Sequence, residues 1–230
     1  MTMSRGGLVP NLVLAAAVLA GLSYMASWQM PLPPGASTVW KGAAVSLLAV
    51  YAALKAEDGD GWLACAMLAL YALGDVLLEV IGLTRGALAF LAGHVVAMVL
   101  YARNHAGLPL PKALLAWAIV PVTVVVSWYL PSDRSFAPGM ALYALGLSLM
   151  AGAALNSRFS VGGAGLGAVL FVISDLLIFA RIGPLEGQAW VGFGVWGLYL
   201  AGNVLICLAV TRRPKPPYEN SLGRVGSLRP

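Results

Sequence analysis

The stretch WLACAMLALYALGDVLLEVI, residues 62–81, decides how the whole chain is read. Its length matches the ~20 residues an α-helix needs to cross a ~30 Å hydrocarbon layer. It is apolar on every face, and only Asp75 and Glu79 carry charge in it. Working outward, seven more apolar runs of similar length appear: 8–28, 38–54, 86–101, 112–130, 138–155, 163–182 and 189–210. The breaks between them carry turn chemistry, with Pro31, Pro33, Pro34 and Gly35 in the first, Asp58, Gly59, Asp60 and Gly61 in the second, and Pro109 and Pro111 in the fourth. The first run exceeds the ~7–15 residues of a signal-peptide core and has only a poor cleavage site near Ala26, so it is read as a helix.

Composition agrees. Of 230 residues, 60% are hydrophobic and 10% charged, whereas a soluble domain carries about a quarter charged residues. Such hydrophobicity also excludes a disordered chain, and no Gly-X-Y period suggests collagen. The expected fold is therefore all-α: a polytopic membrane protein with eight transmembrane helices in residues 1–211, followed by a basic, disordered cytoplasmic tail over 212–230. The net charge of +5 calls for no nucleic-acid partner, because its densest cluster, Arg212, Arg213 and Lys215, directly follows the last apolar run. Cys65 and Cys207 both lie inside apolar runs, which does not suggest a disulfide framework.

Lysine and arginine orient the helices. With the N-terminus inside, ten of the 14 fall on the inner side, leaving Lys41, Arg85, Arg134 and Arg181 outside. That bias predicts an N-in, C-in topology, and the protein is expected in the cell inner (plasma) membrane. An internal echo appears as well: Leu70-Tyr-Ala-Leu-Gly-Asp75-Val-Leu-Leu in the third run aligns with Leu170-Phe-Val-Ile-Ser-Asp175-Leu-Leu-Ile in the seventh. Both copies would cross in the same direction, as in a parallel repeat of two four-helix halves.

Ionisable groups within membrane helices cost about 2.5–3.5 kcal/mol on insertion scales, so each needs a reason. They are Lys41, Asp75, Glu79, His94 and Asp175. At ~1.5 Å per residue, both aspartates lie roughly 20 Å from the inner face, in the outer half of the membrane. Lys41, His94 and Tyr143 fall in the same half, with Tyr199 and Asn203 somewhat deeper, so one polar pocket opening outward is expected. Asp75 and Glu79 share a helix face, as do Tyr199 and Asn203. Simpler readings exist for several of these residues. Glu79 would reach the interface, Lys41 would snorkel to headgroups, and Ser174 would bond its own helix carbonyl. His94, Tyr143, Tyr199 and Asn203 would only join helices. Two carboxylates at matching depth have no such reading.

At these positions the sequence resembles the YhhN family, which includes the lysoplasmalogenases. The resemblance rests on Lys41, Gly74-Asp75, Phe90 with Gly93-His94 and Tyr101, Tyr143 with Met150, Phe171 through Ser174-Asp175, and Tyr199 through Asn203, in order over helices two to eight. It departs at Gly42, where the family tends to have proline, and at Asn203, where it tends to have glutamine.

The resemblance implies hydrolysis of the vinyl ether bond of a lysoplasmalogen to a fatty aldehyde and a glycerophospho-alcohol. Enol ethers are cleaved by proton delivery to the β-carbon, giving an oxocarbenium ion that water captures. Two carboxyl groups out of bulk water suit such a reaction, one as acid and one as base or cation stabiliser, in the manner of two-carboxylate glycosidases. Asp75 and Asp175 are thus the expected catalytic pair, with either as the acid. His94, Tyr143, Ser174, Tyr199 and Asn203 are expected to position substrate or water, and Lys41 to meet the phosphate. No metal or other cofactor is called for, since His94 and His105 are the only histidines. The expected partners are a lysophospholipid and the bilayer. Two alternatives stay open: a proton-coupled small-molecule transporter and a hydrolase of another lysolipid. A Ser-His-Asp acyl hydrolase lacks a Gly-x-Ser-x-Gly elbow.

Overall fold

A computed structural model describes residues 7–212. The expected tail falls outside these residues from 213 onward. The described chain is all-helical: α1 (Leu8–Ser27), α2 (Ala36–Lys55), α3 (Gly59–Val80), α4 (Leu83–Arg103), α5 (Leu110–Tyr129), α6 (Ala137–Leu155), α7 (Leu166–Ala180) and α8 (Trp190–Thr211). Eight spans of sufficient length and hydropathy make this an integral membrane protein. A 20-residue helix rises about 30 Å, the thickness of the hydrocarbon layer.

Local chemistry explains where the spans start and bend. Asp58 caps α3, its side chain accepting from the N–H groups of Asp60 and Gly61 at 3.0 and 3.1 Å, so the helix starts three residues before the apolar run does. In α5 the helix breaks at Ala118. Pro121 has no N–H to offer the Trp117 carbonyl, and the ladder opens there. A wide turn over Val161–Gly165 leads into α7. The close approach of α7 to α8 depends on two glycines: a Cβ on Gly167 would lie 2.6 Å from the Gly202 carbonyl oxygen, and one on Gly202 would lie 2.7 Å from that of Gly167.

Consecutive helices pack against each other from α1 to α4 and from α5 to α8. The two sets meet where α4 packs on α6, and where α8 packs on α2 and α3. The residues aligned in the internal echo come together at this seam, the rings of Tyr71 and Phe171 lying 5.0 Å apart. At the end of the bundle carrying both described termini, the halves are also tied by backbone bonds, Ala106 N–H to the Asn156 carbonyl at 2.8 Å and Arg158 N–H to the Asn104 carbonyl at 2.7 Å.

The two ends of the bundle differ in filling. Towards the termini, Leu48, Ala52, Ala64, Leu68, Leu100, Leu147, Met150, Ala154 and Ile206 are at most 1% exposed and close the interior. At the other end, where α1, α3, α5 and α7 finish, the helices enclose a cavity of about 720 Å³.

Candidate functional site: two aspartates at the base of a one-ended cavity

Every helix except α5 contributes to the cavity wall. Asp75 and Asp175 border it from α3 and α7, together with Lys41, Tyr143, Ser174 and Tyr199. Six of the eight expected site residues thus share one wall, in the half where their depths place them. The remaining two, His94 and Asn203, stand behind it.

Each aspartate is held by one phenol. Tyr199 donates to Asp75 Oδ2 at 2.7 Å, and Tyr143 donates to Asp175 Oδ2 at 2.7 Å. Both carboxyl groups are buried, at 3% and 5% exposure. Their environments then diverge. Lys41 Nζ stands 3.8 Å from Asp75 Oδ1 and 3.0 Å from Glu79 Oε1. Among the described residues no cation pairs with Asp175. Glu79, for which a plain interfacial position was one reading, is therefore the lysine's main partner. That pairing occupies the charge expected to meet a phosphate.

Behind Asp175 runs a chain of hydrogen bonds with a single consistent direction. The Tyr143 hydroxyl has one proton and gives it to Asp175, so towards His94 it accepts. His94 Nε2, 3.3 Å away, is then the donor, and Nδ1 accepts from the Tyr71 hydroxyl at 2.9 Å. A neutral imidazole protonated on Nε2 satisfies every partner. Tyr71 escaped the sequence reading even though it lies one turn before Asp75, on the same face. Its ring is positioned by glycine: a Cβ on Gly93 would sit 2.5 Å from it.

Aromatic rings form the base of the cavity. Phe171, fully buried, lies 5.0, 5.1 and 5.1 Å from the centroids of Tyr71, His94 and Tyr199. Phe90 completes this floor and packs over Gly74, where a Cβ would meet its ring at 2.8 Å. The result is a mostly aromatic base in which Tyr143 and Tyr199 hold the two carboxyl groups.

Two expectations need correction. Asn203 lies beneath the floor with no exposed surface, and its Nδ2 donates to the Tyr199 carbonyl one turn back at 2.9 Å. It shares the Tyr199 face but lies about 6 Å deeper, which keeps it from the cavity. Ser174 does border the cavity, but its hydroxyl donates to the Val195 carbonyl of α8 at 2.9 Å and not to its own helix. The sequence reading also missed α1 and the Trp196 turn of α8, where Trp196 Nε1 donates to the Gly21 carbonyl at 2.7 Å and Tyr24 packs 4.7 Å from the Trp196 ring.

In chemical terms the cavity offers one carboxylate beside an ammonium group, one carboxyl group beside a neutral relay, and an apolar wall. No curated protein and no solved structure matches the chain. Residues 36–210, the seven helices that carry both aspartates and the relay, match the model of the YhhN family, and the chain belongs to that family.

Proposed function

We propose that the protein is a membrane-embedded lysoplasmalogenase, cleaving the vinyl ether bond of lysoplasmalogens. Membership of a family that includes lysoplasmalogenases supports this reading. The observation that carries it is the unequal pair of carboxyl groups on one cavity. Asp175, with Oδ2 held by Tyr143 and no cation beside it, is the acid: its Oδ1 proton goes to the β-carbon of the enol ether as the π electrons form the new C–H bond. Asp75, beside Lys41, is the carboxylate that faces the resulting oxocarbenium ion and takes a proton from the water adding to the α-carbon. The hemiacetal then breaks its C–O bond: Asp75 gives its proton to the departing glycerol oxygen and the hemiacetal hydroxyl proton restores Asp175, releasing fatty aldehyde and glycerophospho-alcohol. The sum is one water consumed, with no redox change.

The neutral relay Tyr71–His94–Tyr143 keeps Asp175 oriented. Aromatic walls at the base suit a delocalised cation. The filled opposite half speaks against the transporter reading, because alternating access needs a route to the other face.

Purified in detergent and supplied with lysoplasmalogen, the protein is expected to release fatty aldehyde. Asp75→Asn and Asp175→Asn should each abolish release while the variants stay folded, and full activity in both would overturn the assignment. We further place the protein in the plasma membrane with both termini inside. A reporter enzyme fused after residue 212 should be active only if it folds in the cytoplasm.

A further inference from the structure

Four basic side chains belong to the end of the bundle where the cavity opens: Lys41, Arg85, Arg134 and Arg181. Three of them are accounted for. Lys41 is held by Glu79 and Asp75. Arg134 donates to the Trp128 carbonyl at 2.5 Å and lies over the Trp128 and Tyr129 rings at 5.6 and 5.7 Å. Arg85 does not border the cavity. Arg181 does border it, and among the described residues no carboxylate pairs with it. An arginine bordering a mostly apolar cavity, with no acid against it, has its full charge and donor fork available to a ligand.

Its position is fixed by the backbone. The Arg181 N–H bonds the Leu177 carbonyl at 3.0 Å, the Leu185 N–H returns to Ala180 at 2.9 Å, and the next residue, Ile182, accepts from the Ser132 N–H at 3.1 Å. The side chain therefore extends from an anchored residue at the end of α7.

The spacing matches one class of ligand. Arg181 follows Asp175 by six residues, a rise of about 9 Å along α7. In a single-chain glycerophospholipid, six bonds separate the first carbon of the chain from phosphorus, a reach of about 7 Å at ordinary bond lengths. A lipid with its first chain carbon at Asp175 thus brings its phosphate to Arg181. Its chain has an apolar path as well, since Leu88 and Leu142 border the cavity and are 61% and 68% exposed.

We infer that Arg181 is the phosphate-binding residue of the cavity and that it selects single-chain glycerophospholipids over neutral lipids of the same chain. The assignment deepens the hydrolase reading and rests on it for the bond that is cut, although binding can be measured without any cleavage.

The test titrates the full-length protein in maltoside detergent with a saturated 1-O-alkyl-glycerophosphoethanolamine, which cannot be hydrolysed as an enol ether, and with the corresponding 1-O-alkylglycerol. The readout is tryptophan fluorescence, since Trp28 and Trp196 border the cavity. The unsubstituted protein should prefer the phospholipid by about tenfold or more, the scale of one charge-assisted contact. Arg181→Gln should abolish that preference, Arg181→Lys should keep part of it, and Arg85→Gln should leave it intact. A preference that survives Arg181→Gln overturns the inference, and so does its absence from the unsubstituted protein. Displacement of the phospholipid by millimolar inorganic phosphate overturns the lipid as ligand and leaves a free-anion site. Aldehyde release is followed in parallel on a lysoplasmalogen. Arg181-dependent binding without aldehyde refutes the hydrolase and keeps the site. Aldehyde release with a KM untouched by Arg181→Gln refutes the site and keeps the hydrolase.

Discussion

Replacing Gly202 by alanine puts a methyl group where α8 has no space for one. The new Cβ would stand 2.7 Å from the Gly167 carbonyl oxygen and 3.4 Å from the Phe171 nitrogen. Ordinary contact begins near 3.4 Å, so one backbone must retreat from the other by about 0.7 Å. Neither neighbour is a side chain that can rotate away. Overpacking of this kind costs typically 1–3 kcal/mol, and a rigid backbone neighbour puts it near 3. For a protein of this size that corresponds to a fall of roughly 6–12 °C in Tm. Gly197, five residues earlier in the same helix, supplies the control, because a Cβ there meets nothing within 4 Å. Alanine at that position should be neutral or stabilise by up to about 1 kcal/mol through reduced backbone freedom. The assay is built into α8: Cys207 is fully buried, so in a Cys65→Ala background a thiol-reactive dye reports its exposure on heating. If Gly202→Ala melts with the parent, or if Gly197→Ala falls as far as Gly202→Ala, the close approach of α7 and α8 is wrong.

Tyr143→Phe removes the donor to Asp175 and the acceptor for His94, and aldehyde release should drop about 10²–10³-fold, the scale of a lost positioning contact in catalysis; kinetics on the purified variant will show it. Tyr101→Phe is the counterpart, since that hydroxyl is buried with no hydrogen-bond partner among the described residues; stability should be unchanged or rise by about 1 kcal/mol, read as Tm, and activity should hold. Gly93→Ala should push the Tyr71 ring off His94, lowering activity while the two aspartates remain in place, and Tyr71→Phe should reproduce its kinetic part. Trp196→Phe deletes the bond to the Gly21 carbonyl and should cost about 1 kcal/mol, read as a lower Tm.

Eight spans and the two aspartates were legible in the sequence because each is a property of one helix: run length, periodicity and an ionisable group where lipid discourages it. The partners were not legible, because they depend on which helices become neighbours. Tyr71 and Asp75 lie on one face of α3, but only the approach of α4 shows that Tyr71 serves His94. The face shared by Tyr199 and Asn203 was read correctly; its depth relative to the aromatic floor was not, since that floor is assembled from α3, α4, α7 and α8. Lys41 and Glu79 each looked like an interfacial charge until α2 and α3 were set side by side. Arg181 entered the sequence reading only as one of the charges that orient the helices.

The filled half of the bundle has a consequence for the membrane that holds the protein. In the proposed mechanism Asp175 exchanges protons through the open end, since leucine, alanine and methionine fill the described interior towards the termini. Hydrolysis as proposed, confined to that end, would move no net charge across the bilayer. A protein filled in this way can stand in an energised membrane without short-circuiting its proton gradient.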